Sequence, residues 1–214
     1  MTTAALEVAS RGMLRAPPRV AADALAEVLK RRPGDTVVVA ECSVADLSLG
    51  SVPVRSSMKM NFHVIPTTTE WSLLCFAAAP TPGINDDHDI VANVSRALNV
   101  QAVHVGFDET HPKGARLELA FHDGDGRTRQ ISMIDTGIRV GSFRSGVPLD
   151  GEPDNATLER AVQGRCVKAT VGQVLTSMFE VDPWDQSLID RTQAALTITY
   201  SWTPGPIIGK PRRR

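Results

Sequence analysis

The sequence predicts an all-β fold, an antiparallel β-sandwich or barrel of eight or nine strands. Three observations lead to this class. Beyond Gly34 most segments alternate apolar with polar residues, which is the period of a half-buried strand. Clusters of Pro, Gly, Asp and Asn separate those segments. The 214 residues, with 42% hydrophobic content, suffice for one sizeable core and do not require a second domain.

The N-terminal part is expected to differ from the rest. Residues 1–18 are small or polar and end in Pro17-Pro18, so we expect a loose segment. A short helix is predicted over 19–32, just before the helix-ending pair Pro33-Gly34. One face of this helix collects the apolar residues Val20, Ala24, Leu25, Val28 and Leu29.

The strands follow in order. We expect them at 35–44, 58–65, 71–78, 100–107, 115–122, 127–134, 137–143, 165–179 and 195–202. Asp123-Gly124-Asp125-Gly126 tolerates positive φ and predicts a tight hairpin between two of them. The last strand alternates from Leu196 to Trp202 and must leave the sheet at Pro204.

Three short helices are expected in the connections. The first lies around 89–97, and the second spans 153–165 with Asp154 or Asn155 as its cap. The third begins with Asp182 as cap and Pro183 in its first turn.

These patterns divide the chain into a basic N-terminal arm with a short helix (1–33), a β-sandwich domain (34–203) and a basic C-terminal tail (204–214). The chain shows neither an apolar signal core nor a membrane-length run, so we expect no membrane span and an intracellular, reducing environment. Cys42, Cys75 and Cys166 are widely separated and predict buried thiols rather than disulfides or a zinc site.

The sequence contains no convergent catalytic set. None of the five histidines stands at metal-ligand spacing with another, and His63 and His104 lie inside alternating segments. The motifs Gly-x-Ser-x-Gly, His-Glu-x-x-His and Cys-x-x-Cys do not occur. We therefore predict a protein that is not an enzyme and has no cofactor; the enzyme alternative is a small hydrolase on a β-sandwich.

One acidic cluster offers oxygen ligands for a metal ion. Asp86, Asp87 and Asp89 lie together in "GINDDHD", and Ca²⁺ accepts such ligands in irregular geometry. The spacing does not match an EF-hand loop. Two interpretations stay open, a solvated loop and a cation site shared between subunits.

Basic residues lie towards both ends of the chain. They are Arg11, Arg15, Arg19, Lys30, Arg31 and Arg32 near the N-terminus, and Lys210, Arg212, Arg213 and Arg214 at the C-terminus. Such residues neutralise phosphates without reading sequence, and many copies in a shell give large avidity. They predict sequence-independent binding of single-stranded RNA. The alternatives are a solubility tail and, at the end of the helix, an interaction with the helix dipole.

A basic segment with a short helix, followed by about eight strands with small helices between them, resembles the single jelly-roll coat proteins of small plant RNA viruses. The resemblance covers Gly34 to Thr203, plus the arms, and no short motif defines it. It implies an antiparallel, jelly-roll-like β-sandwich of about eight strands, with many copies forming a virion shell in the host cytoplasm. The residues that match an arm facing the RNA are Arg11, Arg15, Arg19, Lys30, Arg31 and Arg32. This N-terminal cluster is sparser than in many members, and here the C-terminus is basic too.

A second resemblance overlaps the first. Residues 100–143 are similar to the core of the thirty-kilodalton superfamily of plant viral movement proteins, with Asp123 and Gly137 at that family's aspartate and glycine. The resemblance implies a jelly-roll-like core that binds single-stranded nucleic acid. The two alternatives share a fold and a partner and differ in assembly. The low aromatic content, 5%, favours phosphate neutralisation over base stacking.

Overall fold

The computed structural model describes residues 10–30, 34–47, 59–76, 86–108, 115–148 and 168–201, together with residues 152, 154 and 159. The strands are β1 (Ser10–Leu14), β2 (Thr36–Cys42), β3 (Lys59–Pro66), β4 (Ser72–Phe76), β5 (Ala102–Asp108), β6 (Ala115–His122), β7 (Thr128–Asp135), β8 (Val140–Ser145) and β9 (Ala195–Ser201). The helices are α1 (Pro18–Leu29), α2 (Asp86–Leu98) and α3 (Lys168–Phe179), with short 3₁₀ turns at Val44–Asp46 and Gln186–Leu188.

The nine strands form one sheet in the order β2-β9-β3-β4-β1-β5-β6-β7-β8. Each neighbouring pair is antiparallel. The prediction of mostly β, antiparallel structure with short helices is therefore confirmed. The jelly-roll connectivity that the resemblance implied is not shown by this sheet, whose two edges are β2 and β8.

Helices α1 and α2 cover one face of the sheet, which we call the α1/α2 face. Helix α1 packs on β2, β3 and β9, and α2 packs on β1, β5 and β6. The strands contribute Leu14, Phe62, Val64, Leu74, Ala102, Leu196 and Ile198 to this core. Gly12 lets α2 come close to β1, because a Cβ atom there would lie 2.9 Å from Cγ2 of Val91.

Helix α3 and the segment that follows it cover the opposite side, the α3 face. Its core contains Met13, Ile65, Leu73, Val105, Leu119, Ile131 and Met133 from the strands. The ring of Phe179 stacks on Phe121 with centroids 5.2 Å apart and meets Trp71 edge-on at 6.0 Å. The two cores together enclose the sheet from both sides.

The N-terminal segment was expected to be loose, and this prediction is wrong from Ser10 onward. Strand β1 lies in the centre of the sheet, between β4 and β5, and Met13 and Leu14 are fully buried. Five residues with few apolar members give too short a pattern to recognise. The next prediction is confirmed, since α1 forms, although it ends at Leu29, ahead of the basic residues.

The strand predicted at 165–179 is also wrong, because Lys168–Phe179 is helix α3. Val171, Val174, Leu175 and Met178 pack into the α3 face with helical spacing. The β-branched residues of this segment favoured a strand, but burial of one helical stripe decides its structure.

The other connections differ in detail from those predicted. Helix α2 starts at Asp86 and is longer than the one or two turns expected. Asp182 does cap a turn, with its Oδ1 accepting from Trp184 N at 2.8 Å, but a 3₁₀ turn follows instead of an α-helix. The helix expected over 153–165 lies outside the described residues apart from Asp154 and Glu159.

The hairpin prediction is confirmed. Strands β6 and β7 pair from His122 opposite Thr128, with Gly124 and Gly126 at positive φ in the turn. Strand β9 also alternates as expected, burying Leu196 and Ile198 on the α1/α2 face.

Candidate interaction surfaces

Arg11, expected in an RNA-facing arm, is instead buried on the α3 face. Its side chain donates through Nη1 to the Pro183 carbonyl, near the Asp182 carboxylate. Desolvation lowers the pKa of Arg11, and the nearby Cys75 and Asp182 act in the opposite direction. Because strand register places Arg11 between Cys75 and Val105, its side chain cannot reach a polyanion at the surface. The assignment of Arg11 to RNA is therefore corrected to a structural role.

Three other predicted RNA-binding residues are exposed, and each has an acidic neighbour. Arg15 pairs with Glu70 at 2.5 Å. Arg19 and Lys30, at opposite ends of α1, pair with Asp23 at 3.2 Å and Glu27 at 2.6 Å. Exposed ion pairs of this kind are weak, so another charged ligand can readily take the place of either partner. None of the three forms a joint surface patch with Arg11, which is buried.

The remaining predicted RNA-binding residues lie outside the described residues. They are Arg31, Arg32, Lys210, Arg212, Arg213 and Arg214.

The acidic cluster opens helix α2 rather than forming a loop. Asp86, Asp87 and Asp89 all fall in its first turn, where negative charge is favourable to the helix dipole. Asp89 is exposed, while the side chains of the other two lie outside the described part. Among the described side chains, no three His, Cys, Asp or Glu residues are placed to hold a metal ion. The shared cation site stays a prediction.

A short polar row that the sequence did not reveal crosses β2, β9 and β3 on the α3 face. The Thr197 hydroxyl lies 3.0 Å from Nδ1 of His63 and 3.2 Å from Sγ of Cys42. Burial lowers the pKa of His63, which favours the neutral ring. The three residues are far apart in sequence, and only the strand order brings them together.

The two described cysteines are reduced and partly or fully buried. Burial raises the pKa of the Cys75 thiol, and Arg11 opposes this shift. A thiol in such surroundings is a poor nucleophile. The predicted buried role therefore fits Cys42 and Cys75, while Cys166 lies outside the described residues.

The edge at β8 exposes apolar side chains. Ile138 in the β7–β8 turn is 92% exposed, Phe143 in β8 is 64% exposed and Val147 beyond it is 68% exposed. Arg144, opposite Ile131, points to the α3 face, so Phe143 stands on the α1/α2 face. Helix α2 packs on strands out to β6, and β8 lies two positions further from it.

Within the described residues, this edge shows little of the usual protection against strand pairing. Of the strands that the structure describes, β8 pairs with β7 alone. Proteins usually guard an edge with proline, lysine or an inward-pointing charge. Val140–Ser145 contains no proline or lysine. Its one charged side chain, Arg144, points to the α3 face and binds Glu152, and the Ser142 hydroxyl donates to Oε1 of Glu159 at 3.2 Å. The opposite, α1/α2 side of the strand carries Phe143 without such a guard among the described residues.

The two positions matched to movement proteins have local turn roles. Asp123 pairs with Arg127 at 2.7 Å inside the β6–β7 hairpin. Gly137 adopts φ +79° in the turn between β7 and β8.

No family model, no curated protein and no solved structure matches the chain. In the described parts of the chain, no helix is long and apolar enough to cross a bilayer.

Proposed function

We propose that this chain is a coat-type structural protein that associates with copies of itself and packages RNA. The observation that carries the proposal is the β8 edge with its exposed Phe143, Ile138 and Val147. Exposed apolar side chains along and beside an edge strand favour a protein partner that adds a strand. A second copy of this chain is the partner that the edge fits best.

Two β8 strands from two copies can pair in the antiparallel arrangement that every neighbouring pair in the sheet already has. Residues directly opposite in an antiparallel pair point to the same face. A two-fold axis at Phe143 then brings the two Phe143 rings side by side on the α1/α2 face, and Gly141 opposes Ser145 of the other copy. The contact is isologous and yields a dimer, so a closed shell uses at least one further contact between dimers.

The RNA-binding part of the proposal rests on the terminal basic residues. Arg11 is excluded from it by its burial, and Arg15, Arg19 and Lys30 are engaged by carboxylates. The C-terminal residues Lys210 to Arg214 supply most of the remaining charge. Each contributes weakly, and the number of copies supplies the avidity. No observation favours the movement-protein alternative over this one.

Electron microscopy of purified protein, with and without single-stranded RNA, tests the proposal. We expect regular particles whose yield rises with RNA. Deleting residues 207–214 is expected to leave the fold intact, to weaken RNA binding and to flatten its salt dependence, because fewer counterions are released.

The outcomes separate the two halves of the proposal. If the truncated protein still forms particles and binds RNA with unchanged affinity and salt dependence, the C-terminal tail does not bind the RNA. If the protein forms dimers but never particles, self-association at β8 is kept and the coat function is wrong.

A further inference from the structure

Cys42 lies at the end of an edge strand and has an open side. Its side chain shares a face of β2 with Val38 and Ala40, which are both exposed, and Cys42 itself is half-buried. Cys75, by contrast, is buried in a strand inside the sheet. Of the two thiols that the structure describes, Cys42 is therefore the one that a small reagent in solution can reach.

The polar row on β2, β9 and β3 connects this thiol to a base. Oγ1 of Thr197 lies 3.2 Å from Sγ of Cys42 and 3.0 Å from Nδ1 of His63. A hydroxyl can accept from the thiol while it donates to a neutral imidazole. After the proton has moved to His63, both hydrogen bonds remain with their directions reversed, so that His63 donates to Thr197 and Thr197 donates to the thiolate.

The surroundings of His63 keep its ring ready to accept the proton. Burial lowers the pKa of His63, so the ring is uncharged at about pH 7. Cys75 lies opposite His63 on β4, and burial raises the pKa of that thiol and keeps it neutral. Arg11 follows one strand further on the same face, with the Asp182 carboxylate near it. The fold thus offers Cys42 a neutral base through one hydroxyl.

We propose that Cys42, Thr197 and His63 form a proton relay that makes Cys42 a modification site for small disulfides. The Cys42 thiolate attacks one sulfur of a disulfide R–S–S–R, a Cys42–S–S–R bond forms, and the S–S bond of the reagent breaks and releases RS⁻. The proton held by His63 then goes to RS⁻, which leaves as RSH. Cys42 is oxidised and the released half of the reagent is reduced. This site goes beyond the coat function and does not depend on it.

Reaction of the full chain with glutathione disulfide, followed at Cys42 by mass spectrometry of its peptide, tests the relay. In the wild type the rate constant should change little between about pH 8 and about pH 6.5, because neutral His63 takes the proton over this range. Thr197→Val removes the hydroxyl and keeps the shape. At about pH 7 it should lower the rate constant by about 10-fold or more. Its rate constant should also fall about tenfold for each pH unit, as for a thiol without a base.

Thr199→Val is the matched control, because Thr199 lies two residues along the same face of β9 and its hydroxyl donates to Oδ1 of Asn61 at 3.0 Å. It should react as the wild type does. At about pH 10 a thiol is ionised without help from a base, so the ratio of rate constants there corrects for any change in access to Cys42.

Two results would overturn the relay. One is a corrected rate constant of Thr197→Val at about pH 7 that equals the wild type's. The other is a wild-type rate constant that already falls about tenfold for each pH unit below about pH 8. This second measurement needs no variant, so it decides alone if Thr197→Val fails to fold.

Discussion

Gly124→Ala is expected to cost about 3 kcal/mol of folding free energy, one of the two largest effects we anticipate. Gly124 has φ +85°, and a left-handed conformation costs other residues about 1–2 kcal/mol. A Cβ atom there would also lie 2.6 Å from the backbone C of Asn99 and N of Val100. These backbone atoms follow α2 and are held by Ser95, whose carbonyl accepts from Val100 N at 3.1 Å. The overlap adds about 1–3 kcal/mol because no side chain can simply rotate away.

Gly137→Ala is the matched control. Its φ of +79° is similar, but no described atom lies within 4 Å of the Cβ position. Gly137→Ala should therefore lose only the folding free energy that the left-handed conformation costs, about 1–2 kcal/mol. Urea unfolding of both variants measures the difference. Equal losses in the two variants would show that the β6–β7 hairpin is not held against the end of α2.

Arg11→Ala is expected to destabilise the fold by about 3 kcal/mol, and Arg11→Met by about 1–2 kcal/mol. Alanine leaves a cavity in the α3 face and removes the donor to the Pro183 carbonyl. Methionine fills much of the space and avoids the desolvation that lowers the pKa of Arg11, but it leaves the carbonyl unsatisfied. We expect the denaturant midpoint to be highest for the wild type, lower for Arg11→Met and lowest for Arg11→Ala.

The same variants test the burial of Arg11 against its predicted arm role. RNA affinity of folded Arg11→Met should equal that of the wild type, because a buried side chain cannot meet a phosphate. A fall in affinity with the fold intact would restore Arg11 to the RNA surface. An Arg11→Met protein as stable as the wild type would show that the desolvation of the Arg11 guanidinium cancels its contact with Pro183.

Local patterns in the sequence predicted much of the sheet. Alternation located eight of the nine strands, and the Asp-Gly turn located the β6–β7 hairpin. The failures have physical causes. Strand β1 is too short for a pattern, and its place between β4 and β5 depends on pairing between distant segments. In α3 the β-branched residues indicated a strand, whereas packing on the α3 face selected a helix.

Site residues were harder to predict than strands. The basic residues were grouped by their position along the chain, but β1 turns Arg11 inward while α1 keeps Arg19 at the surface. The row of Cys42, Thr197 and His63 joins residues from three places in the chain, and no spacing announces it. Phe143 looked like an ordinary strand residue, and only the sheet order shows that it lies on an edge strand.

Sedimentation velocity over a range of protein concentrations, without RNA, tests most directly whether copies join at the β8 edge. The wild type should pass from monomer to dimer or larger species as concentration rises. Phe143→Lys places a charge on the open strand and should weaken this association by about 30-fold or more. Val38→Lys is the control, since Val38 is 54% exposed on the other edge strand, β2, and should associate as the wild type does. A wild type that stays monomeric at every concentration, or association that Phe143→Lys leaves as strong as in the wild type, would contradict the proposed assembly.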